Sequence, residues 1–86
     1  MALKDDFEKA AEEVKWITSR PDNDTLLLLY SLFKQATEGD VKGEKPGMFD
    51  LKGKKKFEAW ESKKGKSKDA AMHDYIAAVK KLTAKN

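Results

Sequence analysis

The 86-residue sequence contains no cysteine and a single histidine. Without thiols the chain can form neither a disulfide nor a thiolate metal site, a composition compatible with a reducing compartment. His73 falls off the apolar stripe of its predicted helix, so we expect an exposed side chain without a catalytic role. The sequence also lacks histidine clusters with metal-ligand spacing and a GxxxxGK[ST] phosphate loop. These absences predict a protein without metal, cofactor or enzymatic activity.

Long apolar runs are missing as well. No stretch can span a bilayer, and the start of the chain lacks the apolar core of a signal peptide. Hydrophobic residues make up 40% and charged residues 38%, a balance typical of a small soluble domain and too apolar for disorder. We therefore expect one domain over residues 1–86, in the cytoplasm.

The net charge of +3 conceals an asymmetry between the two halves of the chain. Residues 1–43 carry six basic and nine acidic side chains, whereas residues 44–86 carry twelve basic and six acidic ones. The segment 45–68 alone holds nine basic and three acidic residues. That excess favours a polyanionic partner, although a solvated surface is the usual meaning of a lysine run.

Apolar residues at helical spacing predict four helices and no strand. The predicted helices are Asp5–Trp16, Asn23–Gly39, Asp50–Lys63 and Lys68–Thr83. Caps are expected from an Asp5–Glu8 box and from the side chains of Asn23, Asp50 and Ser67. Gly39 and Gly65 can end the helices that precede them. The sequence therefore predicts an all-α bundle.

Two connections and one aromatic residue complete the predicted fold. Thr18–Asp22 is a short connection, because Pro21 cannot lie in a helix interior. Asp40–Phe49 is the longest irregular stretch, and we expect its own apolar residues to hold it: Val41, Met48 and Phe49. Trp16, at the end of the first helix, is predicted to lie in the core.

The second helix has two apolar sides. At about 100° per residue, one side carries Leu28, Leu29, Leu32 and Ala36. The other side carries Leu26, Leu27, Tyr30, Phe33 and Lys34. This second side is either buried, with the amine of Lys34 at the rim, or a ligand surface that offers leucines to an apolar tail, aromatics to a ring and a lysine to an anion.

Tyr30 and Lys34 lie four residues apart on one helix, so one phosphate can accept hydrogen bonds from both. Lys56 and Tyr75 lie on the third and fourth predicted helices, and spacing alone does not show whether they converge on the same anion. Lys52, Lys55 and Lys56 share one face of the third helix.

Several blocks of sequence recur together in one known family. They are Tyr30–Thr37, Gly39–Asp40, Pro46–Met48, Lys52–Lys54 and Ala59–Trp60, with Asp6–Phe7, Ala10–Ala11, Ala71–Met72 and Tyr75–Ile76 near the ends. In sequence and spacing they resemble the acyl-CoA-binding protein family over nearly the whole chain. The resemblance implies a small four-helix bundle that runs up-down-down-up, with a long loop between the second and third helices.

The resemblance also implies a site for acyl-CoA. By analogy, Tyr30, Lys34 and Lys56 hold the ribose 3′-phosphate, and Phe33 and Tyr75 neighbour the adenine and the ribose. Further ligand contacts are expected from Lys15, Ser31, Leu32 and Lys52, and an acyl-chain groove is expected from Ala10, Ala11, Val14, Leu26 and Leu27. Phe33 stands where the family usually has tyrosine, so stacking on adenine is retained and the hydrogen bond of a hydroxyl is lost.

The function that the resemblance implies is non-enzymatic binding, buffering and intracellular transport of medium- to long-chain fatty acyl-CoA esters. It implies a monomer that makes transient contact with membranes and acyl-CoA-using enzymes and binds no nucleic acid. One alternative is a basic helical module for nucleic acid or acidic proteins, motivated by the lysines of 52–68, although no helix-turn-helix signature is present. Another is a helical scaffold that binds proteins through Phe33 and its neighbours.

Overall fold

The computed structural model describes residues 2–17 and 21–84. Within these ranges the helices are α1 (Leu3–Glu13), α2 (Asn23–Glu38), α3 (Leu51–Glu61) and α4 (Lys68–Ala84), and a 3-10 turn, Val14–Trp16, follows α1. The described residues contain no strand, and the prediction of an all-α, four-helix fold is confirmed. Of the predicted connection Thr18–Asp22, residues 18–20 lie outside the described residues.

The helices run up-down-down-up, and residues 39–50 join the two parallel helices α2 and α3. Parallel neighbours require the chain to return along a helix length, about 24 Å for the 16 residues of α2. Residues 39–50 can cover that distance, since extended chain spans about 3.3 Å per residue. α2 packs against α4 on one side and α3 on the other, and α4 also packs on α1.

The core lies among α1, α2 and α4. Its buried members are Phe7, Ala10, Leu29, Leu32, Ala36, Ala71, Tyr75 and Val79. The ring of Phe7 packs edge-on against Tyr75, with centroids 5.1 Å apart, and stacks on Phe33 at 5.5 Å. α3 contributes one buried side chain, Trp60, so this helix is attached to α2 rather than built into the main core.

The residues that α2 buries differ in part from the apolar side predicted by its sequence. Leu29, Leu32 and Ala36 are buried as predicted, but Leu28 is 39% exposed. Leu28 borders a shallow depression toward α4, where the facing side chains of Ala77 and Ala78 are too short to cover it. Two polar residues are buried on this helix instead, Ser31 and Gln35.

Trp16 does not lie in the core, and that prediction is wrong. Its side chain is 76% exposed. The α-helical period ends at Glu13, and Trp16 belongs to the 3-10 turn that follows. In a 3-10 helix each residue advances about 120° rather than 100°, so Trp16 leaves the apolar stripe of α1.

Two of the predicted N-caps are wrong. α1 begins at Leu3, with Ala2 as its cap and no side-chain hydrogen bond, so Asp5 lies in the first turn, where a carboxylate is still favoured by the helix dipole. α2 is capped by Asp22 rather than by Asn23. The Asp22 carboxylate accepts a hydrogen bond from Thr25 N at 2.8 Å.

The other two predicted caps are confirmed. Asp50 accepts from Gly53 N at 3.0 Å, and the Ser67 hydroxyl accepts from Ala70 N at 3.0 Å. Glycine at position 53 permits the first of these contacts, because a Cβ there would lie 2.4 Å from Asp50 Oδ2. Both caps satisfy amide groups that have no partner inside their helices.

We predicted that Val41, Met48 and Phe49 hold the loop between α2 and α3. This is wrong for Met48 and Phe49, which are largely exposed, whereas Val41 is half-buried. Polar contacts also hold the loop. At its start, Trp60 Nε1 donates to the carbonyl oxygen of Gly39 at 2.9 Å. Near its middle, Lys45 forms an ion pair with Glu58 at 2.8 Å.

A further polar contact, which we call the loop clamp, joins Gln35, Asp40 and the segment 65–66. The buried Gln35 donates through Nε2 to Asp40 Oδ1 at 2.9 Å and to the carbonyl oxygen of Lys66 at 2.7 Å. Gly65 N donates to the same Asp40 oxygen at 2.8 Å. Gly65 has φ +93°, a conformation that side chains other than glycine rarely adopt. The clamp ties the α2–α3 and α3–α4 connections to the C-terminal turn of α2.

Two leucines of α2, Leu32 and Leu28, provide a matched test of the core. Leu32→Ala should lower the free energy of unfolding by roughly 2–5 kcal/mol, since it opens a cavity at a buried site. Leu28→Ala removes the same atoms from a partly exposed side chain and should cost clearly less. Urea unfolding measures both values. Equal losses in the two variants would contradict the assignment of the core face.

The loop clamp predicts an acid-sensitive contribution to stability. The hydrogen bond from Gly65 N, together with that from Gln35, holds the pKa of Asp40 below its ordinary value of 3.8. A carboxyl group with a lowered folded-state pKa stabilises the protein above its unfolded pKa, and that stabilisation is lost as pH falls through the folded value. The stability advantage of the parent over Asp40→Asn should therefore be greatest near neutral pH and shrink below pH 3.8.

Urea unfolding of both proteins across the acid range measures that difference. Because asparagine can still accept hydrogen bonds through its amide oxygen, the variant keeps the geometry and loses the charge. A difference that stays constant with pH contradicts the role of the ionised Asp40.

Candidate functional site

A groove of about 450 Å³ lies between α2 and α3. Its volume falls within the usual range for small-molecule sites. It is lined by Asn23, Asp24, Leu26, Leu27 and Tyr30 of α2 and by Lys52, Lys55 and Lys56 of α3. The groove therefore has an apolar side from one helix and a basic side from the other.

Helical spacing explains why these side chains meet. Leu26 and Tyr30 are four residues apart, and Leu27 lies beside them on the side of α2 that faces away from the core. On α3 the three lysines follow the spacing i, i+3 and i+4, so they share one face. Since α2 and α3 pack side by side, the two faces form opposite walls.

The basic wall is not neutralised by the protein. None of the three lysines on it forms an ion pair within the described part of the chain, and Asp24 is the one carboxylate among the lining residues. Lys56 Nζ lies 5.5 Å from the centre of the Tyr30 ring, a cation–π distance that brings the amine close to the phenol. The groove can therefore accept a molecule with an apolar part and an anionic part.

Lys34 lies one turn beyond Tyr30 but is not part of the groove lining. Its amine donates to the carboxylate of Glu38 and lies 4.9 Å from the centre of the Trp60 ring. The hydrogen bond from Lys34 also lowers the pKa of Glu38. An anion that recruits Lys34 must therefore share its amine with Glu38 or replace that carboxylate.

Phe33 and Tyr75 are brought together, with ring centroids 6.0 Å apart, but they differ in access. Tyr75 is 4% exposed and packs in the core, whereas Phe33 is 39% exposed. Burial raises the pKa of the Tyr75 hydroxyl, so this side chain is neutral at physiological pH. Of the pair, Phe33 presents the larger surface to a ligand.

Three of the other predicted ligand residues lie apart from the groove. Lys15, on the 3-10 turn, has a largely exposed side chain that pairs with Glu12 at 3.5 Å. Ser31 and Leu32 are buried in the body of the bundle, and the Ser31 hydroxyl donates to the carbonyl oxygen of Leu28 at 2.7 Å. The two buried residues support the groove wall from behind and present no open surface in this arrangement.

The residues predicted to form the acyl-chain groove lie in two separate places in the structure. Leu26 and Leu27 line the groove between α2 and α3, whereas Ala10, Ala11 and Val14 do not. Ala10 is part of the core, and the other two α1 residues are packed against it. The reason is that α1 packs on α4, whereas the wall opposite the leucines comes from α3.

Sequence reasoning missed three lining residues, Asn23, Asp24 and Lys55. A signal for Lys55 was present, since it shares a helix face with Lys52 and Lys56. In the sequence, Asn23 and Asp24 indicate only the start of a helix. Their place in the groove lining depends on how α3 packs beside α2, which local spacing does not reveal.

Two features are absent from the described residues. No group of histidine, cysteine, aspartate and glutamate side chains among them could hold a metal ion. No helix that the structure describes is both long enough and apolar enough to cross a membrane.

A four-helix domain with an apolar and basic groove defines a small binding protein for amphiphilic anions. Residues 4–79 match the family described as "Acyl CoA binding protein", and the chain belongs to this family. It is 54% identical over 82 residues to an acyl-CoA-binding protein of Brassica napus, covering 95% of this chain and 89% of that protein. An acyl-CoA-binding protein homolog of Drosophila melanogaster is 53% identical over 83 residues, covering 96% of each.

Solved structures agree with this assignment. The crystal structure of Oryza sativa acyl-CoA-binding protein 2 is similar with a TM-score of 0.94 and 45% sequence identity, covering 98% of this chain and 93% of that chain. At this identity the likeness extends beyond the fold to the family, and the resemblance seen in the sequence is confirmed.

Proposed function

We propose that this protein reversibly binds one medium- to long-chain fatty acyl-CoA ester, without changing it chemically. The observation that carries the proposal is the groove between α2 and α3, whose leucines face three lysines free of ion pairs within the described chain. An acyl-CoA has the matching parts, an apolar chain and a polyanionic nucleotide head. Family membership supports the same ligand.

The proposed roles of the residues follow their positions. Leu26 and Leu27 contact the acyl chain, and Lys52 and Lys56 contact phosphate groups of the head. The Tyr30 hydroxyl donates to the 3′-phosphate, since the amine of Lys56 already lies over its ring. These assignments place the charged and the apolar parts of one ligand in one groove.

The remaining contacts require the ligand to extend beyond the groove. Lys34 reaches the 3′-phosphate after exchanging Glu38 for it. Phe33 stacks on the adenine, and Lys15 contributes a charge from the 3-10 turn after α1. Through these contacts the nucleotide head covers the mouth of the site and shields the acyl chain from water.

At the level of the cell, we propose a cytoplasmic, monomeric carrier and buffer of acyl-CoA. It exchanges ligand through transient contact with membranes and with enzymes that use acyl-CoA. Reversible binding suits this role, because a carrier must release its ligand unchanged. The alternative of a nucleic-acid module is not favoured, since lysines of the basic segment form the wall of a concave site.

The apolar wall predicts a dependence of affinity on chain length. Each buried methylene should add about 0.8 kcal/mol. Dodecanoyl-CoA and hexadecanoyl-CoA should then differ by about 3 kcal/mol, or a factor of about 10² in Kd. Calorimetric titration of an acyl series, with free CoA and acetyl-CoA as references, measures the slope.

Leu27→Ala should weaken long-chain ligands, whereas Leu28→Ala, which changes the neighbouring leucine outside the groove, should not. Equal Kd values for acetyl-CoA and hexadecanoyl-CoA would exclude an acyl-chain site in this groove.

The basic wall predicts that individual lysines of α3 contribute unequally to the affinity for palmitoyl-CoA. Lys56→Ala should weaken palmitoyl-CoA about 10- to 100-fold, since a charge-assisted hydrogen bond to a partly desolvated phosphate contributes about 1.5–3 kcal/mol. Lys54→Ala is the matched control on the same helix, because Lys54 does not line the groove. Its effect should be small, as for a screened surface charge.

Palmitoyl-dephospho-CoA, which lacks the 3′-phosphate, tests the contact directly. Against this ligand Lys34→Ala and Lys56→Ala should lose most of their effect. With the full ligand the two variants should be non-additive, because they share one partner. If Lys54→Ala and Lys56→Ala weaken both ligands equally, the lysines act only as a diffuse field and the specific phosphate site is refuted.

A further inference from the structure

Three large apolar side chains are exposed together where the long loop enters α3. Met48 is 72%, Phe49 96% and Leu51 67% exposed, and we call these three residues the apolar tip. They account for half of the large hydrophobic side chains recorded as exposed in the described chain, within four consecutive positions. Clustered apolar exposure of this kind marks an interaction surface rather than the scattered exposure normal for a protein surface.

Contacts on both sides of the apolar tip fix the backbone around it. A turn joins Gly47 O to Asp50 N at 3.0 Å, and the carboxylate of Asp50 caps α3. The ion pair between Lys45 and Glu58 attaches the preceding part of the loop to the same helix. These contacts fix the residues before and after the tip, while its three side chains stay exposed.

The apolar tip adjoins the groove. Leu51 is the first residue of α3, immediately before Lys52, which lines the groove. Lys55, also in the groove wall, lies four residues after Leu51 and therefore on the same side of the helix. A surface that contacts the tip thus comes close to the groove.

The charge around the apolar tip is strongly positive. The first six residues of α3 include four lysines, and none of them forms an ion pair within 4 Å in the described chain. Asp50, the nearest carboxylate in sequence, is engaged as the helix cap. The apolar tip therefore lies next to four lysines, of which Lys52, Lys55 and Lys56 are exposed and Lys54 is half-buried.

This combination fits a lipid surface better than a protein. Phenylalanine and leucine enter the boundary between headgroups and acyl chains, while lysines attract anionic headgroups. Protein interfaces are also enriched in phenylalanine and methionine, but they are depleted in lysine, and their hot spots are mainly tryptophan, tyrosine and arginine. Residues 41–56 contain six lysines and none of those three anchor types.

We propose that the apolar tip and the lysines at the start of α3 form a docking surface for bilayers that contain anionic phospholipid. The tip inserts at the depth of the headgroups, and the lysines lie over them. The groove then opens beside the leaflet, so an acyl chain passes between bilayer and protein along a short path. This role of the surface in ligand exchange rests on the proposed binding of acyl-CoA.

Insertion can be measured directly, because the chain has no cysteine of its own. An environment-sensitive fluorophore on Met48→Cys should shift to the blue with vesicles of phosphatidylcholine and phosphatidylserine, and much less with phosphatidylcholine alone. The same fluorophore on Trp16→Cys, an exposed aromatic position outside the tip, is the control and should not shift. Equal shifts at the two positions, or none at position 48, overturn the proposal.

Vesicle flotation separates the apolar and electrostatic parts. Phe49→Ser should reduce binding to phosphatidylserine vesicles about tenfold, and Trp16→Ser should not change it. Lys54→Glu should reduce it about fivefold or more, since each lysine near an anionic surface contributes about that factor. Added salt should weaken binding by the parent. If the parent protein binds neither kind of vesicle, the apolar tip does not bind lipid, the proposal is overturned, and a protein is the remaining candidate partner.

A last comparison distinguishes failure of docking from failure of the proposed function. Phe49→Ser lies outside the proposed ligand site and should bind palmitoyl-CoA in vesicle-free solution as the parent does. Its uptake of palmitoyl-CoA from phosphatidylserine vesicles should be slower. Unchanged uptake refutes docking through the tip while leaving acyl-CoA binding intact. Absence of binding in vesicle-free solution refutes the proposed function, whereas the fluorophore shift at position 48 still tests the docking surface.

Discussion

The burial of α2 between two neighbours is the constraint on which the rest of the structure depends. One side of this helix packs on α4 in the main core, and another faces α3 across the groove. A helix in this position needs apolar residues on more than one side, which explains why its leucines occur in a run of four. The helix most essential to the core is therefore also one wall of the binding site.

α3 is held against α2 by a few specific contacts rather than by a large core of its own. Trp60, its one buried residue, donates to Gly39 and lies under the amine of Lys34. The loop clamp adds Gln35 and Asp40 at the same end of α2. These polar contacts hold α3 against α2, so residues outside the groove lining contribute to the position of the lysine wall.

Much of the fold could be predicted from periodicity and capping chemistry, which are local. The errors occurred where local rules give way to tertiary packing. Trp16 leaves the apolar stripe because the last turn of its helix tightens, and Leu28 is uncovered because short alanines face it.

The burial of Gln35 could not be predicted, since its partners belong to two loops. For the site, spacing grouped the lysines of α3, but only the packing of α3 on α2 placed them opposite Leu26 and Leu27.

The exposure of the lysine wall has a thermodynamic reason. A buried charge without a partner is costly, whereas an amine at the surface of an open groove keeps its hydration in the folded protein. Lys52, Lys55 and Lys56 are all exposed, so their desolvation does not lower the free energy of unfolding. That cost arises only when a ligand closes the groove, and an anionic head offsets it in the same step. An apolar molecule without the head would cover the amines without pairing them, so the wall favours amphiphilic anions over neutral lipids.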